Sequence, residues 1–297
     1  MSMDRRRFLN AALVGAGGVL LDGTASLAQA PSPFALRPLG QTGLNVSLIG
    51  AGTGMRGWMR NSNQTRAGKE SFSTLIRHAY ERGVRVFDCA DLYGTHPYLA
   101  EALTGVPRED YVIITKIWWQ QRGLPEQDRP GPKASVERFR QELRTDYVDL
   151  VLLHCVTDPN WQQTEEWQMD ELSELKSDGV IRAHGVSVHS IGALESCISS
   201  PWVDSVNARI NAYGDKMDDR DPAVVAEVLK RLHDAGKGVV GMKLIGEGQY
   251  RDDPLKRDES IKYVLGLGSV DTMVVGFEKP EEIDDFADRV ANALAAQ

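Results

Sequence analysis

Residues 71–94 read SFSTLIRHAYERGVRVFDCADLYG. Ser71–Arg82 has the pattern of an amphipathic helix, and Gly83 supplies the left-handed position that a helix-to-strand turn wants. Val84–Phe87 then forms a short, near-continuously apolar run of the kind buried on both faces of a sheet. A charged residue, Asp88, follows it directly. Helix, glycine stop, buried strand and polar strand end make one unit, and the same unit recurs along the chain. Further apolar runs lie at Val46–Gly50, Tyr111–Thr115, Val148–Leu153, Ile181–Val186, Val203–Asn207, Gly238–Met242 and Thr272–Val275. Between them lie helical stretches such as Ser135–Thr145, Thr164–Asp178, Asp221–Ala235 and Pro280–Ala295, with Gly179 and Gly236 near helix ends. Eight such units in ~250 residues match a parallel (β/α)8 TIM barrel, here one domain over residues 36–295. The rival, a doubly wound open sheet, lacks its Gly-x-Gly-x-x-Gly fingerprint after the first strand. Leu36–Asn45, with Gly40 and Gly43 as turn residues, reads as a small hairpin that would plug the barrel's bottom.

The 297 residues are 42% hydrophobic and 26% charged, which excludes disordered and collagen-like classes. A net charge of −8 without a basic run of five or more disfavours a nucleic-acid partner, because phosphate binding needs a basic footprint. Cys89, Cys155 and Cys197 are odd in number and far apart, so they imply no disulfide framework. The histidines lack the spacings that mark a metal site.

The first thirty residues differ from the rest. Arg5, Arg6 and Arg7 precede Phe8-Leu9, an apolar Gly-rich stretch from Ala11 to Leu21, and small residues ending in Ala28-Gln29-Ala30. That is the three-part layout of a signal peptide over residues 1–30. Its apolar stretch is about half of the ~20 residues that a membrane span needs. The Arg-Arg-x-Phe-Leu core resembles a twin-arginine (Tat) export signal, which implies the twin-arginine machinery as a partner and a periplasmic or otherwise extracytoplasmic destination. Cleavage after Ala28 is at least as suitable as after Ala30, where Pro31 would flank the bond. Removing the segment's net +1 takes the chain from −8 to −9.

In a barrel, chemistry belongs at the C-terminal strand ends. Read in order, those ends offer Asp88 and Tyr93, then Lys116, then His154, all facing one mouth. A charge at the end of a buried strand needs a partner, and Asp88 and Lys116 can pair. Any one of these is most simply a satisfied core group. Four at the same face point to a site.

FDCADLYG at 87–94, ITK ending at Lys116, LLHC holding His154, and GVSVHS at 185–190 together resemble the aldo-keto reductases. The likeness runs from about Leu36 to Glu282. It implies a nicotinamide dinucleotide cofactor bound without a Rossmann domain, and reduction of carbonyls to alcohols. Tyr93 would be the proton donor, Lys116 and Asp88 its tuning pair, and His154 the group that orients the carbonyl. The residues suit the chemistry. Hydride arriving at a carbonyl carbon leaves an alkoxide that needs a proton and electrostatic stabilisation, and an ammonium beside Tyr93 is expected to lower its pKa from about 10.

Some positions depart from the family's pattern. Ser187 is followed by Val188 where an Asn is expected, the Gln near the sixth strand falls on Ala208 or Arg209, and Met242 followed by Lys243 stands where a ring would stack. Arg209, Asn211 and Lys243 are candidates to compensate. Relatives bind the adenosine 2′-phosphate after the eighth strand, at Gly276–Glu282. Here Lys279 is the one cation among Glu278, Glu281 and Glu282, so NAD(H) is favoured over NADP(H) unless Lys279 and Arg251 or Arg257 reach a phosphate. Those acids could equally cap a helix N-terminus. Trp118 and Trp119 would place two indoles at the mouth, suited to a carbonyl substrate that is sugar-like or carries another ring. His189 could face the mouth beside Ser187. The long C-terminal loop that covers the substrate in many relatives is absent, so the pocket is expected to be open. The leading reading is an exported oxidoreductase. The alternatives are a catalytically weak cofactor- or ligand-binding barrel with a regulatory role, and a hydrolase or lyase using Asp88 and a Glu.

Overall fold

The computed structural model describes residues 32–297. Residues 1–30, read above as an export signal, lie outside the described residues. A hairpin opens the described chain, with β1 (Leu36–Pro38) pairing antiparallel to β2 (Asn45–Ser47) in the register Leu36 to Ser47. The barrel strands follow as β3 (Ile49–Gly52), β4 (Val86–Asp88), β5 (Val112–Ile117), β6 (Val148–Val156), β7 (Ile181–Val188), β8 (Ser205–Arg209), β9 (Gly238–Met242) and β10 (Thr272–Gly276). All pair in parallel, and β10 closes the ring on β3 with Met273 opposite Ile49. The (β/α)8 barrel read from the sequence is the fold.

The run Val46–Gly50 is two strands rather than one. Val46 joins Leu39 and Leu44 of the hairpin in a cluster with Val86, Val112, Ile114, Leu150, Leu152, Ala183, Val240 and Val274, the side chains that fill the barrel. Leu48 and Ile49 belong instead to the layer under the helices. The chain must change sheets between these two sets, so the run breaks at Leu48. The hairpin turn abuts the start of β9. A Cβ on Gly40, which has φ +48°, would lie 2.3 Å from the Gly238 backbone nitrogen, so only glycine fits this seal.

The ring of helices forms as α1 (Asn63–Arg66), α2 (Lys69–Arg82), α3 (His96–Ala102), α4 (Pro132–Leu143), α5 (Trp161–Thr164), α6 (Glu166–Ser177), α7 (Ile191–Ser196), α8 (Pro222–Asp234), α9 (Pro254–Leu267) and α10 (Pro280–Ala295). In α2 the buried residues Phe72, Leu75, Ile76 and Ala79 make one stripe, and Gly83 ends the helix at φ 115°. Asp221 caps α8 by accepting from Ala223 N at 2.9 Å. Along the strands the side chains alternate. Val86 and Asp88 point into the barrel, as do Ile114 and Lys116 and likewise Leu152 and His154, whereas Phe87, Ile113 and Leu153 pack under the helices. This parity decides which residues reach the mouth.

Candidate active site

Parallel register builds a staircase. Asp88 stands opposite Ile114, and Lys116 is two residues further along β5 on the same face. Lys116 stands opposite Leu152, and His154 is again two further. Lys116 Nζ donates to both Asp88 carboxylate oxygens, at 2.6 and 2.7 Å, and to Cys89 O at 2.9 Å. Its three protons therefore have three acceptors, which a lysine only 1% exposed requires. Asn207 Nδ2 adds a 3.2 Å bond to Asp88 Oδ1. Burial pushes the Asp88 carboxyl above its usual range, and Lys116 opposes that shift.

Tyr93 ends a 3-10 turn, Asp91–Tyr93, which Gly94 closes at φ 65°. The turn is held from behind. The buried Asp91 carboxylate takes Arg60 Nε at 2.9 Å and Arg138 Nη2 at 2.8 Å on one oxygen. Arg138 continues to Glu142, and Glu142 to His96 at 2.9 Å. Tyr93 OH lies 3.5 Å from His154 Nε2. The His154 ring is wedged edge-on between Tyr93 and Trp118, with centroids 5.6 and 5.4 Å away. The β6 ladder is irregular between Leu153 and Val156, and Cys155 there adopts φ 61°. A bulge of this kind re-aims the neighbouring side chains, here at the mouth.

Electrostatics sets both polar tips. Burial pushes the Tyr93 phenol well above 10, and the Asp88 charge adds to that. The expected lowering by Lys116 does not occur, because burial of the phenol, which disfavours the phenolate, outweighs it. Burial and Lys116 hold His154 well below 6.5, so its ring is neutral at neutral pH. A protonated phenol and a neutral imidazole thus converge on one point at the mouth. Together they can donate a proton and a hydrogen bond to an oxygen placed there.

The other expected residues divide. Ser187 faces the barrel, is 1% exposed, and its Oγ finds no hydrogen-bond partner among the described residues. The same is true of Asn207 Oδ1. Val188 and Ala208 belong to the layer under the helices, so the departures from pattern read at those positions do not face the site. Arg209 is paired to Asp218, with Nε 2.9 Å from Oδ1. Asn211 is spent on its own loop and on the one after β9, donating to Asp215 O and Lys243 O and accepting from Tyr213 N. Lys243 reaches Glu247 at 2.8 Å. Gly276 ends β10 opposite Gly52, and a Cβ there would lie 2.4 Å from Met55 Cγ. Lys279 is exposed at the start of α10. Arg251 bonds Glu278 and Glu282, and Arg257 bonds Asp285 at 2.6 Å. Trp118 is 2% exposed and packs on Leu92 and Leu124, and Trp119 donates its indole N–H to His154 O at 3.0 Å. The indoles wall the site from one side rather than standing free at its mouth. His189 Nε2 meets Cys155 Sγ at 3.6 Å.

Sequence reasoning missed Asn207, the Asp91 clamp, and two glycines that hold the Tyr93 ring. Asn207 could have been found by parity, since it lies two residues beyond the buried Ser205 on β8. Among the described residues, no group of three or more His, Cys, Asp or Glu is placed to hold a metal, and no helix is long and apolar enough to cross a membrane.

Comparison with known proteins agrees with this geometry. The methylglyoxal reductase DkgB of Escherichia coli O157:H7 is 35% identical over 133 residues, which is 44% of this chain and 48% of that protein. The chain thus spans about half the length of the curated relatives it matches. A solved aldo-keto reductase structure from Pseudomonas aeruginosa superposes with a TM-score of 0.71 at 25% identity, over 91% of this chain and 99% of that one. An aldo/keto reductase from Klebsiella pneumoniae, solved with NADP and acetate, gives a TM-score of 0.58 at 19% identity, covering 84% and 86%. The model of the Aldo/keto reductase family matches residues 48–262, from the first barrel strand into α9, and this protein belongs to that family.

Proposed function

We propose that this protein interconverts a carbonyl and an alcohol using a nicotinamide dinucleotide, with Tyr93 as general acid or base. The observation that carries the proposal is the 3.5 Å approach of Tyr93 OH to His154 Nε2, both neutral, beside the buried Lys116–Asp88 pair. Two unpartnered buried groups, Ser187 Oγ and Asn207 Oδ1, fit the polar end of a nicotinamide, which needs one hydrogen-bond acceptor and one donor. When bound, the dinucleotide supplies or accepts hydride. His154 orients the carbonyl oxygen, Tyr93 delivers its proton as negative charge develops there, and Lys116 becomes a stabilising charge as the phenol loses its proton. In the alcohol direction Tyr93 takes the proton back. Trp118 and Trp119 wall the substrate side, and Lys279, at the start of α10, would meet the adenosine end. A small aldehyde or dicarbonyl suits the reading, given the methylglyoxal reductases among the relatives.

NAD(H) is part of the proposal. It is supported by the ion pairs that commit Arg251 to Glu278 and Glu282 and Arg257 to Asp285, and by the exposed Glu281 in the first turn of α10, which would face a 2′-phosphate. Export is also part of it, resting on Arg5–Leu9. Folded export would let the cofactor travel inside the protein. Reduced-cofactor absorbance with methylglyoxal and a panel of aldehydes, ketones and sugars tests the activity. Loss of turnover in Tyr93→Phe supports the reading, and full turnover overturns it. Cell fractionation with Arg5→Lys/Arg6→Lys tests export. A second reading, a barrel that binds cofactor but turns over slowly, is favoured by the internal commitments of Arg209, Asn211 and Lys243. Absence of turnover with every carbonyl, alongside tight cofactor binding, would select it.

A further inference from the structure

A working imidazole is commonly oriented through the ring nitrogen that does not meet the substrate. In His154 that nitrogen, Nδ1, is buried and has no hydrogen-bond partner among the described residues. Edge-on packing against Tyr93 and Trp118 limits how far the ring can tilt. Where the ring stands is set by the backbone that carries it.

From Leu153 to Val156 strand β6 advances three residues, while β7 advances two, from Val186 to Val188. The surplus residue bulges at Cys155, whose φ of 61° is left-handed, a conformation that a residue with a Cβ adopts only at a cost. On the other side of β6 the ladder with β5 ends at Ile117, opposite Leu153. The carbonyls of His154 and Cys155 therefore lie past its last rung, and a strained bulge with two unmet acceptors would relax. Two consecutive side chains of the loop after β5 meet them. Trp119 Nε1 donates to His154 O at 3.0 Å, and Gln120 Nε2 donates to Cys155 O at 2.8 Å. Arg129 ties down the loop that carries both donors, reaching Trp119 O from Nη1 at 3.2 Å and Leu124 O from Nε at 3.1 Å.

We propose that Trp119 and Gln120 are positioning residues: their side-chain N–H groups stand in for the next rungs of the β5 ladder, hold the bulge at Cys155 in its left-handed shape, and so keep His154 Nε2 3.5 Å from the Tyr93 hydroxyl. The one N–H of the Trp119 indole is spent on a main-chain carbonyl, so its part in proton transfer is indirect. The inference rests on the reading of His154 as the group that orients the carbonyl. Its effect falls on turnover more than on substrate affinity, because a hydrogen bond from His154 strengthens as charge develops on the oxygen.

Trp119→Phe keeps an aromatic wall and removes one donor, and Gln120→Leu removes the other. Each should lower kcat for methylglyoxal about tenfold, and both together about a hundredfold, the scale of an ångström's misplacement, with KM changed by less than about twofold. Rescue decides the matter. Glycine takes a φ of 61° without a Cβ penalty, so in a Cys155→Gly background the loss of either donor should cost about twofold instead of tenfold. Equal losses in both backgrounds, or a rise in KM in place of a fall in kcat, would overturn the proposal. A readout that needs no turnover is the ring-proton signal of His154 in histidine-labelled protein, identified by its absence in His154→Gln. The Tyr93 and Trp118 rings beside it make that signal sensitive to position. It should move in Trp119→Phe/Gln120→Leu and return when Cys155→Gly is added. If no carbonyl is turned over but the signal moves and returns, the redox reading fails and the positioning stands, whereas an unmoved signal overturns the positioning whatever the turnover. Gln120 is partly exposed, so its variant should fold and carries the test if Trp119→Phe does not.

Discussion

Gly54 lies so close to the Tyr93 ring that a Cβ added to it would stand 2.2 Å from Tyr93 Cε2. Gly57 crowds the same ring, with a Cβ placed 2.3 Å from Cδ1. On this side the phenol is held by backbone, which fixes its oxygen without adding bulk to the mouth. Gly54→Ala should push the ring aside and lower kcat by about 10²-fold, the scale of an ångström's misplacement of a reacting group. Steady-state kinetics of a folded Gly54→Ala with unchanged kcat would show that the ring is not positioned this way.

Tyr93→Phe keeps the ring and removes the proton. Turnover should fall by roughly 10²- to 10⁴-fold, with cofactor affinity, read by fluorescence titration, nearly unchanged. Equal loss of cofactor binding would place Tyr93 in the binding surface instead.

Lys116→Met leaves Asp88 buried without its cation. Unfolding in urea should show a loss on the order of 3–5 kcal/mol along with the activity. The double variant Lys116→Met/Asp88→Asn should regain much of that stability while remaining inactive. If it recovers nothing, the pair is not what makes the single variant unstable.

Three buried imidazoles make stability depend on pH. Burial pushes His184 down to about 4 and His189 to about 3, and holds His154 well below 6.5. In the unfolded chain each takes up a proton near pH 6.5, while the folded protein refuses it. Their contribution is therefore complete above about pH 6.5 and is lost as pH falls towards the folded values, with a slope of up to about 1.4 kcal/mol per pH unit for each histidine. Urea midpoints should drop between about pH 7.5 and 5.5, before the carboxylates titrate. A flat midpoint over that window would mean that the folded protein binds these protons too.

The same physics fixes Tyr93. Held protonated by burial and by Asp88, it is ready as an acid across the neutral range. Carbonyl reduction should be nearly independent of pH up to about 9, whereas alcohol oxidation should rise with pH as the phenolate becomes accessible. Matching profiles in the two directions would argue against Tyr93 as the shared group.

Much of this was legible in the sequence. Gly238–Met242 and Pro280–Ala295 are the elements that the pattern predicts, because apolar runs and amphipathic spacing report burial directly. Asp88, Lys116 and His154 were visible because a polar residue ending a buried run has few bland explanations. The break at Leu48 was hidden, since both halves of Val46–Gly50 are apolar and only the third dimension separates them. Asn207 is hard to single out because it closes a short run of buried residues, and only the alternation along β8 marks it as inward. The Tyr93 shift has the opposite sign to the one the sequence suggests, since the phenol's burial, which comes from the packing of distant segments, dominates it.

The pairing of Met273 with Ile49 also orders events during synthesis. Asp88 and Lys116, 28 residues apart, leave the ribosome early and can meet on neighbouring strands, whereas Asn207 follows 119 residues after Asp88. Until Thr272–Gly276 emerges, β3 has a bare edge and the lysine–aspartate pair stands in water. Contacts so distant in sequence make closure slow and leave that edge open to other strands. The last strand made is therefore the one that dries the site. A nascent chain stalled short of residue 272 should carry most of the catalytic side chains and none of the environment that gives them their chemistry.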